Sequence, residues 1–155
     1  MATWGEFEAA EPEMAAVARR LLQPAPIMML ATVRRDGAPR VHPVCPIFAA
    51  GRVYVAVAGG KRAQPSPKRW DLLRDGRYAL HGLPGERDEE FYASGRVRLV
   101  EEAGERAAVV AGAGHTVHDA DWVFELGIER AMTAYWERWT KPDTYAVRRF
   151  WRATG

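Results

Sequence analysis

The chain has 155 residues, of which 48% are hydrophobic and 27% charged, so it fits one globular domain over residues 1–155 and excludes wholesale disorder. A net charge of +2 is too small to indicate nucleic-acid binding without a concentrated basic face. A single cysteine, Cys45, excludes an intrachain disulfide and agrees with a reducing compartment. The N-terminus lacks a secretory signal pattern and no apolar run approaches membrane-spanning length, so we expect a cytoplasmic protein.

In chain order the sequence predicts mostly strands. Helical spacing of apolar residues predicts a short helix over residues 11–22, and further helices are expected over residues 66–74 and 104–111. Apolar or alternating runs predict strands over residues 27–33, 41–48, 53–57, 77–83, 90–101, 124–136 and 145–151. Short turns join most of them, which favours a closed β-barrel of six or seven strands.

Three local features refine this prediction. Asp36 and Gly37 form a hairpin turn pair between the first two strands. Pro43 and Pro46 each remove a backbone donor from the second strand, so this strand is expected to be bulged, to lie at an edge of the sheet, or to face something other than another strand. Gly95 predicts a bulge within the strand over residues 90–101.

The segment of residues 60–70 carries the most distinctive charge pattern. It contains four basic side chains and no acidic one: Lys61, Arg62, Lys68 and Arg69. Ser66 as N-cap and Pro67 at the first helical position predict that a helix begins inside it. Free N–H groups, the helix dipole, a hydroxyl and cations together suit a phosphate group. A solvated basic loop with an ordinary serine cap explains the same composition equally well.

The order of turn, strand, turn, strand, basic loop and helix over residues 25–102 resembles the pyridoxamine 5'-phosphate oxidase-like family. The stretches that carry the resemblance are LATVRRDGAPRVHPV (residues 30–44), GRVYV (51–55), SPK (66–68) and DLLRD (71–75). It implies a mainly β fold, a six- to seven-stranded split β-barrel of the FMN-binding type with short helices. It also implies a homodimer that binds a flavin, usually FMN, in a cleft at the subunit interface.

The resemblance assigns residues to three parts of the flavin. Those expected along the edge of the isoalloxazine ring are Arg40, Val41, His42, Pro43 and Val44. Those expected near the ribityl chain are Val57, Ala58 and Gly59, and those expected at the phosphate are Ser66 and Lys68, with Lys61, Arg62 and Arg69 as further candidates.

Three departures from the family pattern bear on function. The loop before residues 66–68 is longer than in the oxidases proper. The family's Ser-Arg-Lys is Ser66-Pro67-Lys68 here, so Arg62 or Arg69 has to replace the missing phosphate-binding arginine. The sequence also has no counterpart of the arginine and histidine pair with which pyridoxamine-phosphate oxidases bind their substrate. We therefore do not expect that reaction.

The resemblance implies an FMN-dependent oxidoreductase that transfers hydride through the flavin to an unknown small substrate, with no catalytic side chain assigned. One alternative is a reductase that uses an 8-hydroxy-5-deazaflavin coenzyme, whose longer charged tail would suit residues 61–69. Another is a non-catalytic protein that binds flavin or haem. A metal site is not expected, because the spacing of His115, His118, Asp119 and Asp121 matches no metal motif and predicts a solvated loop.

Overall fold

The computed structural model describes residues 1–22, 26–59 and 66–154. Its strands are β1 (Met28–Val33), β2 (Pro39–Val44), β3 (Ile47–Ala49), β4 (Arg52–Val57), β5 (Arg77–Gly82), β6 (Glu90–Leu99), β7 (Trp122–Glu137) and β8 (Tyr145–Arg152). Its helices are α1 (Trp4–Ala10), α2 (Pro12–Leu21), α3 (Lys68–Arg74) and α4 (Ala103–Gly112). The prediction of a mainly β fold is confirmed.

The N-terminus contains a helix that the sequence analysis missed. Thr3 caps α1 by accepting a hydrogen bond from the Glu6 N–H at 3.2 Å, and Glu6 accepts one from the Thr3 N–H at 2.7 Å. This reciprocal capping box satisfies two N–H groups that would otherwise lack a partner. Trp4 and Phe7 are thereby buried in the core, together with Met14 from α2.

All strand pairs are antiparallel, in the order β2-β1-β5-β6-β7-β4-β3. Strand β7 has β6 along one edge, and its other edge pairs first with β4 and then with β8. The register of β6 shifts between Ser94 and Gly95, which confirms the predicted bulge. A Cβ on Gly95 would lie 2.0 Å from the Gly127 carbonyl oxygen, so the backbones approach too closely there for another residue.

The sheet closes between β2 and β3, its two outermost strands. Only Cys45 and Pro46 separate them along the chain, and three Cα steps span at most about 11 Å. The two edges of the sheet must therefore curl toward each other. The barrel is split between β2 and β3, because these strands are joined by the chain at Cys45 and Pro46 and not by strand pairing. The single strand predicted over residues 41–48 was wrong, because the chain changes edge at Pro46, but the edge position of β2 is confirmed.

Two cores lie on opposite faces of β4. Val53, Val55 and Val57 point into the barrel and join the main core. Tyr54 faces the other way and packs with Val109 of α4 in a second, smaller core. Helix α4 thus covers the outside of the barrel over β3 and the middle of β4. Among the described residues, no helix has both the length and the apolar character needed to cross a membrane.

Candidate functional site

Helix α3 is attached to the split edge of the barrel by one buried carboxylate, Asp71, whose side chain is 5% exposed. Its Oδ2 atom accepts hydrogen bonds from Thr32 Oγ1 at 3.0 Å and from Arg40 Nε at 2.7 Å. Arg74 donates to Oδ1 at 3.4 Å and to the Val33 carbonyl at 2.6 Å. One carboxylate therefore connects α3 to both β1 and β2.

This arrangement keeps Asp71 ionised. Burial acts to raise its pKa, but the hydrogen bonds from Arg40 and Thr32 outweigh burial and leave the pKa below its usual value. Arg40 uses Nε for this ion pair and makes no other hydrogen bond with a described side chain. The two terminal nitrogens of its half-buried guanidinium therefore remain available to a ligand.

His42 and Lys68 lie beside this ion pair and are both half-buried. Burial, followed by the positive charges of Lys68 and Arg40, lowers the pKa of His42, so its ring is neutral at pH 7. Its Nε2 atom is buried and has no hydrogen-bond partner among the described residues. Burial also lowers the pKa of Lys68, which lies near Cys45. Within the described chain no carboxylate forms an ion pair with Lys68. The partly buried Lys68 ammonium and the Nε2 atom of His42 could therefore both bind a ligand.

The helix start differs by one residue from the prediction. Helix α3 begins at Lys68 with Pro67 at the N-cap, so Ser66 precedes the cap and the predicted serine cap was wrong. Proline with its fixed φ already supplies the helical conformation at position 67. Ser66 instead donates its N–H to the Ala58 carbonyl at 3.3 Å and accepts from the Arg69 N–H at 3.2 Å. These bonds bring the end of β4 and the start of α3 together.

Gly59 and Arg69, which the resemblance assigned to different parts of a flavin, are neighbours. A Cβ on Gly59 would lie 3.2 Å from the Arg69 Nη1 atom and 2.8 Å from Cδ1 of Trp122. The Arg69 guanidinium lies 4.5 Å from the ring centroid of Trp70 and 5.2 Å from that of Trp122, both cation–π distances. Its buried Nε has no hydrogen-bond partner among the described residues. Arg69 is therefore pre-positioned beside the backbone after β4.

The residues expected along the isoalloxazine ring do not form one side-chain wall. Because side chains alternate along a strand, Arg40 and His42 of β2 face α3, whereas Val41 and Pro43 are exposed on the opposite face. Val44 and Val57 are buried in the core and can offer a ligand only their backbone. Ala58 is exposed, and the predictions for Lys61 and Arg62 fall outside the described residues.

We use the name split site for the group that the structure brings together at the barrel opening: Arg40, His42, Gly59, Ser66, Lys68, Arg69 and Asp71. Sequence reasoning missed Asp71, although it is an isolated acid directly after a basic run. It also missed an open pocket of about 530 Å³ between the β1–β2 hairpin and α3, lined by Arg34, Arg35, Asp36, Arg40, Pro67, Trp70 and Asp71.

The loop between α4 and β7 contains His115, His118, Asp119 and Asp121, for which no metal site is expected. Asp121 accepts from the His118 N–H at 2.9 Å and from the Gly59 N–H at 3.4 Å. Arg106 of α4 donates to three carbonyls of the same loop. Asp121 therefore takes part in hydrogen bonds that connect this loop to the split site. In the part of the chain that the structure describes, no three of the residue types that bind metals cluster together.

Comparison with known proteins identifies the class. Residues 14–137 match the family model described as pyridoxamine 5'-phosphate oxidase. Since this match spans well over half of the sequence, the chain belongs to the pyridoxamine 5'-phosphate oxidase family. No curated protein matches the sequence significantly. The family match includes the split site but neither α1 nor β8.

Solved structures show the same fold. A heme binding protein from Mycobacterium smegmatis has a TM-score of 0.61 at 17% identity over 88% of this chain, which spans 58% of that protein. A protein from Clostridium acetobutylicum related to general stress protein 26 of B. subtilis has a TM-score of 0.61 at 10% identity, covering 88% and 94% of the two chains. A NimC/NimA family protein from the same organism has a TM-score of 0.56 at 13% identity, covering 90% and 97%. These identities establish the fold alone.

Proposed function

We propose that this protein is an FMN-dependent oxidoreductase, with the phosphate of the flavin bound at the split site. The observation that carries the proposal is the half-buried Lys68 ammonium, which has no carboxylate partner among the described residues and lies at the opening of the barrel. A phosphate there would supply the missing negative charge. Ser66, Lys68 and Arg69 belong to the same segment, and Arg69 lies beside Gly59. Arg69 would thus take the place of the absent family arginine.

The residues present fit the rest of such a cofactor. The neutral His42 ring has a free Nε2 atom, and Arg40 is fixed by Asp71 with its terminal nitrogens free. Both face α3, so a flavin ring bound along the free edge of β2 would meet an imidazole and a guanidinium. When bound, the flavin supplies the hydride chemistry, and the protein supplies binding and orientation. Arg40 would stabilise negative charge on a polar ring atom, and His42 would exchange a hydrogen bond with it.

The visible absorption spectrum of the purified protein tests this proposal. We expect flavin bands in the untreated protein, or their appearance as bound flavin when FMN is added at one equivalent per chain. Protein that is folded by circular dichroism and binds no FMN in a fluorescence-quenching titration would contradict it. The electron donor and the small substrate would then be sought by following the reduction of the bound flavin.

A deazaflavin coenzyme is a second candidate. The pocket of about 530 Å³ beside α3 is lined by Arg34, Arg35 and Arg40, with the exposed Trp70 at its rim. It offers room and positive charge for an anionic tail longer than the single phosphate of FMN. Parallel titrations separate the candidates, since tighter binding of the 8-hydroxy-5-deazaflavin coenzyme than of FMN would replace the first proposal with this one.

Haem binding without catalysis is a third candidate, and one observation favours it. A neutral imidazole with a free Nε2 atom, such as that of His42, is a common haem iron ligand. One protein of the same fold is named for heme binding. A Soret band in the untreated protein, abolished by His42→Ala, would support this candidate, whereas flavin bands would support the first.

We also propose a cytoplasmic homodimer in which the outer face of the barrel contacts a second copy. Direct cross-strand pairs join one outward row of side chains across six strands: Pro43, Met29, His81, Tyr92, Met132 and Phe150. Phe150 is 71% exposed, which is unusual for a phenylalanine and is typical of an interface. Light scattering should give twice the chain mass, and Phe150→Glu should shift it toward the monomer.

A further inference from the structure

Arg106 in α4 binds a stretch of backbone rather than a carboxylate. Its guanidinium donates from Nη1 to the Asp121 carbonyl at 2.9 Å, and from Nη2 to the His118 and Asp119 carbonyls at 2.7 and 3.1 Å. Three acceptors from four consecutive residues fix the path of this loop more tightly than a single bond would. The planar fork of an arginine suits this role.

The loop fixed in this way reaches the split site through Asp121. One oxygen of its carboxylate accepts from the His118 N–H at 2.9 Å, which closes the loop on itself. The other oxygen accepts from the Gly59 N–H at 3.4 Å, directly after β4. A continuous series of hydrogen bonds therefore runs from α4 to the residue at which the chain leaves the barrel toward Ser66.

Gly59 is in direct contact with this loop. A Cβ added to Gly59 would lie 2.2 Å from the Ala120 carbonyl oxygen, a distance that no side chain tolerates. The Nη1 atom of Arg69 lies 3.2 Å from the same Cβ position, and the Arg69 guanidinium lies 5.2 Å from the ring centroid of Trp122, which follows the loop. The position of the Arg69 side chain thus depends on the path of the loop backbone.

We propose that Arg106 is a positioning residue for the phosphate-binding end of the split site. It holds residues 118–122 against Gly59, and this contact places Arg69 where an anion can meet it. The inference rests on the proposed function. It states that Arg106, a residue outside the split site, controls the affinity of that site for the phosphate group. Arg106 itself is not expected to touch the ligand, so its effect must appear through Gly59 and Arg69.

Two substitutions at Arg106 and one matched control test the inference. Arg106→Ala removes all three hydrogen bonds, whereas Arg106→Lys keeps a cation that can donate to part of the same carbonyl cluster. Val109→Ala lies in the same helix and weakens its packing on the second core, but leaves the hydrogen bonds of Arg106 in place. The readouts are the exchange rate of the Gly59 amide in ligand-free protein, measured by NMR, and the ratio of the dissociation constants for riboflavin and FMN.

In Arg106→Ala we expect Gly59 exchange to accelerate by roughly tenfold and FMN affinity to fall by roughly five- to tenfold, the scale of lost local hydrogen bonds. Riboflavin keeps the ribityl contact expected at Gly59 but lacks the phosphate, so its affinity should fall less than that of FMN, and Arg106→Lys should recover part of both effects. The inference is overturned if Arg106→Ala leaves Gly59 exchange or FMN affinity at the wild-type value, or if Val109→Ala produces the same changes. If the wild-type protein binds no FMN, the proposed function fails together with the claim about phosphate affinity, and Gly59 exchange then decides only whether Arg106 holds the loop against Gly59.

Discussion

The charged and polar groups on the two sides of the barrel near β4 differ in whether they have partners within the chain. Beneath α4, Glu125 accepts hydrogen bonds from both Arg52 and Arg98, and Glu105 accepts from Arg98 and from the Tyr54 hydroxyl. We call this group the α4 network. At the split site, by contrast, Lys68 has no ion-pair partner and His42 Nε2 and Arg69 Nε have no hydrogen-bond partner among the described residues. Single unsatisfied polar atoms also occur elsewhere in the described chain, as at Trp4 Nε1 in the core, but three polar groups without partners in one place are the pattern expected of a ligand site.

Burial alone therefore does not locate the functional region. Tyr54 is as buried as the apolar core, and burial followed by the Glu105 hydrogen bond raises its pKa to about 12. Each member of the α4 network has its partners within the chain, so the perturbed pKa reflects structure. The split site differs because its cations outnumber its carboxylate. Substitutions in the two regions should accordingly separate stability from ligand binding.

The largest expected effect on stability lies in the α4 network. Glu125→Gln leaves Arg52 and Arg98 without their shared carboxylate and should lower the free energy of unfolding by about 2 kcal/mol, a figure reduced by the partial exposure of both arginines. The affinity of the folded variant for FMN should stay within a factor of about two, because Glu125 lies outside the split site. Urea unfolding and flavin titration measure the two quantities. Glu129→Gln on the same strand is the control, since its contact with Arg96 is long and exposed, and should cost less than about 0.5 kcal/mol.

Asp71→Asn should affect both quantities, which distinguishes it from the α4 network. The neutral amide pairs poorly with Arg40 and Arg74, so we expect a loss of about 1–2 kcal/mol of stability, reduced by the partial exposure of both arginines. FMN affinity should fall by roughly tenfold because Arg40 and α3 lose their common anchor. Asp75→Asn, which removes an exposed pair at the end of the same helix, should leave FMN affinity unchanged. A stability loss in Asp71→Asn without any loss of affinity would show that Asp71 does not position the site.

The pH dependence of stability should reveal His42. Its folded-state pKa lies below the unfolded value of about 6.5, so the unfolded chain takes up the proton first as pH falls. The stability that depends on neutral His42 is therefore complete above about pH 6.5 and decreases as pH falls below it. Unfolding in urea at pH 7.5 and pH 5.5 should show a smaller acid loss in His42→Asn than in wild type. Equal losses in the two proteins would mean that His42 titrates normally.

The sequence was sufficient to predict the fold but only parts of the site. The hairpin at Gly37, the bulge at Gly95 and the long strand β7 follow from local patterns, and the structure contains all three. The T-x-x-E pattern at Thr3 could have revealed α1. The change of edge at Pro46 and the contact of Gly59 with Ala120 could not have been predicted, since both depend on how the sheet curls. For the same reason, local patterns alone gave no sign that Arg106 connects α4 to the split site.

Whether the split site binds a phosphate is best tested with FMN and riboflavin, which differ only in the phosphate. Wild-type protein should bind FMN more tightly than riboflavin, and Lys68→Met should weaken FMN binding by roughly ten- to a hundredfold, the scale of one charge-assisted hydrogen bond. Riboflavin binding and the free energy of unfolding should change little, because removing a partly buried charge without a partner costs the folded state nothing. If wild type binds both flavins equally well, or if Lys68→Met weakens both equally, the split site is not a phosphate site.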